Sequence, residues 1–226
     1  EEELRLIMND LRRHQTSYNA IASGDLQPLH VQLRPYVRRL HALGSPSVIY
    51  PYVMQLVTAT ASGEVPMPSA ITCLSVVESF LVRRAVSGLE PTGLHAVFKR
   101  LWDSAGADPA ELRSTIVSTT IAFPNDERFA HEIDTGNLYA RNICKYVLSE
   151  YERHFTAGDV LDVFPPMTID HVMPQSREGD WATLVSAEDH TRWLNTWANL
   201  VPLSSPANSS KGSRSWAEAK ERLQRD

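Results

Sequence analysis

With 226 residues, 42% of them hydrophobic and 22% charged, the chain has the make-up of an ordinary globular protein, large enough for one big domain or two small ones. No apolar run approaches the ~18–20 residues of a membrane helix, and no signal peptide is visible in the sequence. The net charge of −5 provides no basic footprint for nucleic acid, so any such role must rest on local clusters.

The first 155 residues predict helices. Leu4, Ile7, Met8 and Leu11 recur at helical spacing, in a segment that extends toward Tyr18 and Ile21 before Gly24. Leu29, Leu33, Val37 and Leu40 form a second stripe, with Pro35 in a first turn or at a kink. Gly44-Ser45-Pro46 breaks it, and Val48 to Thr60 reads as a third helix. Ser69 is a candidate cap for a fourth, through Leu74, Val77 and Phe80. Thr92 or Gly93 opens the next, and Asp108-Pro109 caps a short one reaching Val117. Asp126 is a candidate cap for a helix through Phe129 and Ile133, and Asn137 to Phe155 reads as the last long helix of this part. Cys73 and Cys144 lie in apolar helical contexts, expected as buried free thiols in a reducing cytoplasm.

From about residue 156 the pattern changes. Leu161, Val163 and Phe164 are strand-like but meet Pro165-Pro166. Ile169 to Met173 predicts a short strand, Ser186-Ala187-Glu188-Asp189 a capped helix, Leu200 to Leu203 a second strand, and Ser205-Pro206 the start of a last helix. The expected division is a helical region, 1–155, and a small domain, 156–226. That small domain carries seven Lys/Arg against ten Asp/Glu, so its own charge does not supply a basic face either. The chain opens on Glu1-Glu2-Glu3-Leu4 without an initiator Met, which leads us to expect a piece of a longer protein with a domain upstream.

The chemistry-bearing residues cluster in the last third. Asp170 directly precedes His171 in Thr168-Ile169-Asp170-His171-Val172-Met173-Pro174-Gln175-Ser176, and Asn199 and Asn208 follow. Hydrolysis of a phosphodiester needs a base for water, and histidine titrates closest to working pH. It also needs a cation for the developing charge, and a hard cation takes carboxylate and amide oxygens. Strand alternation points Asp170 and His171 to opposite faces, so the backbone must bend there if both serve one phosphate. Lys211, Arg214 and Lys220 would lie on the final helix, in reach of a nucleic-acid backbone or simply as a solvated face. Asn208 is equally suited to a helix cap, and Asn199 to a turn. Trp181, Trp193 and Trp197 read as core, and the other seven histidines show no ligand spacing. Arg83-Arg84 is a candidate phosphate contact or the partner of Glu78 or another acid.

Asp170-His171 through Ser176, Trp181, Asn199-Leu200-Val201-Pro202-Leu203, Asn208 and Lys211 resemble the HNH (His-Me finger, ββα-metal) nuclease pattern. With Glu78 to Arg84, Phe123 to Phe129 and Leu138 to Asn142, the chain is similar to the C-terminal region of GmrSD-type modification-dependent restriction and anti-phage proteins, the phosphorothioate-sensing Ssp system among them. The resemblance implies a mainly α protein ending in a small ββα-metal nuclease domain. It implies His171 as general base, Asp170 and Asn208 as metal ligands, and Asn199 as the residue that orients His171 or braces its loop. The implied cofactor is Mg²⁺ or Mn²⁺, and the substrate DNA, that of a phage. The implied setting is cytoplasmic, with an upstream sensor or nucleotide-hydrolysing domain. Cleavage of both strands would call for a homodimer or two events. Ala198 departs from the glycine usual before the Asn-Leu pair. The alternative is a non-catalytic nucleic-acid-binding or scaffolding module that keeps the ββα shell.

Overall fold

The computed structural model describes residues 2–89, 92–119, 121–155, 167–204 and 215–223. These form two compact units, one of residues 1–84 and 89–124, the other of 85–88 and 125–226. Helices 126–135 and 144–155, which the sequence groups with the N-terminal region, thus fall in the same unit as the strands.

The first unit is helical. In chain order it holds α1 (Glu2–Ser23), α2 (Arg34–Ala42), a 3₁₀ turn (Ser47–Ile49), α3 (Tyr50–Ala61), most of α4 (Met67–Val86), α5 (Leu94–Phe98), α6 (Leu101–Ala105) and α7 (Pro109–Ser118). The Leu33, Val37 and Leu40 stripe is buried as its period requires, against Ile49, Tyr52, Leu56, Leu74, Val77 and Phe80. Burial of these side chains, about 1.5–3 kcal/mol each, is what holds the helices together. Asp108 caps α7 by accepting from Ala110 N and Glu111 N. Ser69 does not cap α4, which already starts at Met67.

Helix α1 forms as its period predicts, yet the stripe itself does not pack: Leu4, Ile7, Met8 and Leu11 are exposed, and the helix is anchored by Ser17, Ala20 and Ile21 instead. The pair Arg83-Arg84 is committed to structure. Arg83 donates to Pro124 O and Arg84 to Ala122 O, holding the segment after α7. Glu78 pairs with Arg39, at 2.8 Å.

The second unit holds α8 (Asp126–Thr135), α9 (Cys144–Phe155), β1 (Met167–His171), α10 (Trp181–Leu184), α11 (Ala187–Trp193), a 3₁₀ turn (Trp197–Asn199), β2 (Leu200–Ser204) and α12 (Trp216–Leu223). Asn125, not Asp126, caps α8 through its side-chain oxygen. The helix expected from Asn137 starts only at Cys144, because Asn137 Oδ1 accepts from Ala140 N and turns the chain before it. Ser186 caps α11 as expected, accepting from Asp189 N and donating to its carboxylate. The two strands pair antiparallel, His171 opposite Leu200 and Ile169 opposite Pro202.

Val172 N–H donates to Asn199 O at 2.8 Å, which continues the register and fixes which pairs share hydrogen bonds. Ile169 and Pro202 then form a non-bonded pair, so the proline nitrogen faces away from β1 and costs the ladder nothing. Helix α9 packs across both strands, and Leu148, Val147, Leu200 and Met173 are buried in this unit. No helix among the described residues is long and apolar enough to cross a membrane.

Candidate functional site

His171 ends β1 with 4% of its surface exposed. Its backbone N–H points to the outer side of the ribbon, since His171 and Leu200 are also a non-bonded pair. The Asp170 carboxylate accepts that N–H at 2.8 Å. The strand therefore stays regular through both residues, and the bend expected between them falls one step later, at Val172-Met173. The Asp170 side chain is thus held at the edge of the strand, on the backbone N–H of His171.

The imidazole is held on three sides. Its Nε2 lies 3.0 Å from Asn195 Oδ1. Its Nδ1 lies 3.5 Å from Gln175 Nε2. The Tyr139 ring packs against the imidazole at a tilt, with centroids 4.5 Å apart and planes at 58°. Tyr139 N–H donates in turn to Asn195 O at 3.2 Å, so one backbone bond sets both the residue against the ring and the residue at its edge.

Asn199 is buried, and its side chain makes no bond to the imidazole in this arrangement. Its Oδ1 accepts from Met173 N at 2.6 Å, and its Nδ2 donates to Met173 O at 3.1 Å and to Leu194 O at 2.8 Å. The amide thus ties the turn after His171 to the residue before Asn195. Of the two roles open to Asn199, bracing the loop is the one its contacts display. His190, buried on α11, reaches Pro174 O at 2.9 Å and pins the same turn from the other side.

Sequence reasoning missed Asn195 and assigned no role to Tyr139. Asn195 is one asparagine among several, 24 residues from its partner, and no spacing rule singles it out. Asn208, Lys211 and Arg214 lie outside the described residues. Lys220 is exposed on α12. Trp181 is buried and meets Trp216 edge-on, whereas Trp193 and Trp197 are only half-buried.

Among the described residues no three His, Cys, Asp or Glu side chains gather as a ligand set. A cation held there would rely on the Asp170 carboxylate and on amide or water oxygens. That donor chemistry fits Mg²⁺, which commonly binds through one or two carboxylates and keeps several waters.

Residues 123–226 match the family described as GmrSD restriction endonucleases, C-terminal domain. Over this segment the chain is similar to that family. The match begins within two residues of the boundary of the second compact unit, so the matched segment takes in nearly all of that unit. A search of curated proteins and a search of solved structures returned no match.

Proposed function

We propose that the GmrSD C-terminal domain of this chain is a metal-dependent DNA endonuclease of the HNH, ββα-metal type, with His171 as general base. The observation that carries the reading is the His171 imidazole, buried at a strand end, locked by Asn195 and Tyr139, and flanked by Asp170. A side chain kept this rigid has lost its rotamer entropy before substrate arrives, which suits proton abstraction from a positioned water. His171 takes a proton from water, the resulting hydroxide attacks the phosphorus, and the bond to the leaving oxygen breaks.

A bound Mg²⁺ or Mn²⁺ would neutralise charge on the phosphate and the departing oxygen. Asp170 and Asn208 would hold it. Asn199 acts through the loop, and Lys211, Arg214 and Lys220 contact the DNA backbone. Local placement of these cations stands in for a basic surface that the net charge of −5 does not provide. In the same reading the domain serves a cytoplasmic restriction effector acting on phage DNA. An upstream sensor or nucleotide-hydrolysing domain governs it, and dimerisation or successive nicks cut the second strand.

The test is cleavage of supercoiled plasmid in Mg²⁺ or Mn²⁺ by the purified protein and by His171→Ala. The variant should lose about 10²–10⁴ in rate and keep its fold and DNA affinity. Equal cleavage by both proteins would sink the assignment of the base. Binding of DNA with no cleavage by either would favour a non-catalytic module.

A further inference from the structure

We infer that Asn195 is a positioning residue that fixes the tautomer of His171, making Nδ1 the nitrogen that receives the water proton. The inference rests on the nuclease reading for its purpose but not for its geometry. An imidazole donates from one ring nitrogen and accepts at the other, and its neighbours decide which. At Nε2 the neighbour is a carbonyl-type oxygen, Asn195 Oδ1 at 3.0 Å, which can only accept. At Nδ1 the neighbour is an amide nitrogen, Gln175 Nε2 at 3.5 Å, which can only donate. Both contacts select the same form, with hydrogen on Nε2 and the lone pair on Nδ1.

The two amides differ in their anchoring. Asn195 lies between two pinned points: Leu194 O is held by Asn199, and Asn195 O by Tyr139 N–H. Gln175 is exposed on a longer side chain, and substrate can displace it. The strong, fixed contact therefore sits on the nitrogen that stays protonated, and the long, movable one on the nitrogen that reacts. When Nδ1 takes the water proton, the Nε2–H bond to Asn195 remains and gains charge assistance from the imidazolium. Because Asn195 is an uncharged acceptor, it orients the ring without adding a second negative charge beside Asp170.

The experiment uses the full chain with ¹⁵N-labelled histidine, read by long-range proton–nitrogen correlation where the imidazoles are neutral. His171, assigned by its loss in His171→Ala, is expected to show the Nε2–H pattern. Asn195→Asp, which keeps an accepting oxygen, should preserve that pattern. Asn195→Leu, which keeps the volume, should give a mixture of tautomers. In plasmid cleavage Asn195→Leu should lower kcat by roughly tenfold or more with KM little changed. An Nδ1–H pattern in the unsubstituted protein, or loss of the Nε2–H pattern in Asn195→Asp as complete as in Asn195→Leu, would overturn the inference. Absence of cleavage by the unsubstituted protein would instead count against the nuclease reading, and the nitrogen spectra would still decide the tautomer.

Discussion

Asn199 grips Met173 by both of its backbone groups, accepting from its N–H at 2.6 Å and donating to its C=O at 3.1 Å. The same side chain reaches Leu194 O. Three backbone groups around a buried position therefore depend on one amide. Asn199→Ala would leave them without partners, and each orphaned buried group costs about 1–3 kcal/mol. Allowing for water entering the gap, we expect a loss of about 2–4 kcal/mol, read as a shifted midpoint in urea unfolding. A shift within about 0.5 kcal/mol would mean that the turn after β1 is held by something else.

Asp170→Asn separates two roles of one carboxylate. The amide oxygen can still accept the His171 N–H, so stability should change little. The charge that would attract a divalent cation is gone. We expect weaker binding of Mg²⁺ or Mn²⁺ by titration calorimetry, and cleavage reduced by more than about tenfold. Chelation of the unsubstituted protein should abolish cleavage, and added Mg²⁺ should restore it. Equal affinity for the cation in both proteins would remove Asp170 from the ligand set.

Burial pushes the Cys144 thiol up from 9.0 to about 11 and raises Cys73 as well. A thiol whose pKa is higher folded than unfolded favours the native state while both states keep the proton. That contribution is complete below about pH 9 and is lost as pH rises toward about 11, where the unfolded thiol ionises first. Unfolding free energy should therefore decline over that window, and Cys144→Ala should flatten the decline. Reaction of native protein with a thiol reagent near neutral pH should be slow for both cysteines.

Gly93 opens α5 with φ at +86°, and an added Cβ would come 2.8 Å from Ile121 Cδ1. The methyl can move aside, but the left-handed backbone cannot be relieved. Gly93→Ala should cost about 1–3 kcal/mol. Thermal unfolding followed by circular dichroism would show it, and an unchanged midpoint would contradict the conformation.

What the sequence made legible follows from how local each signal is. Leu33, Val37 and Leu40 announce a helix and its buried face together, because periodicity encodes both. In α1 the same kind of stripe announces the helix alone: Leu4 and Leu11 remain exposed, since period does not specify a partner. Caps were readable where one residue stood out, as with Asp108 and Ser186. They were misassigned by one position where Asn125 and Asp126 competed. Asn137 read as helical because its neighbour Leu138 is apolar, and only its side-chain bond to Ala140 reveals the turn.

At the site, the Asp170-His171 pair and Asn199 carry a recognisable spacing. Asn195 does not, because its role exists only once Trp193–Thr196 is folded against the end of β1. A contact between a side chain and a residue 24 positions away leaves no trace in composition or period. Strand alternation asks for a bend at Asp170-His171 only if both serve one phosphate; the strand runs through both residues, and the Asp170 carboxylate turns to its neighbour's N–H.

The outer margins of the β1–β2 ribbon carry a consequence for how anything docks there. On β2 the margin lacks a donor at Pro202. On β1 the donor at His171 is already taken by Asp170. An extended peptide seeking to add a strand would find one rung missing and would have to evict a carboxylate to gain another. At His171 itself the outward donor is withheld from any added strand. A strand added at this end of the sheet would therefore gain fewer backbone bonds than the length of the ribbon offers.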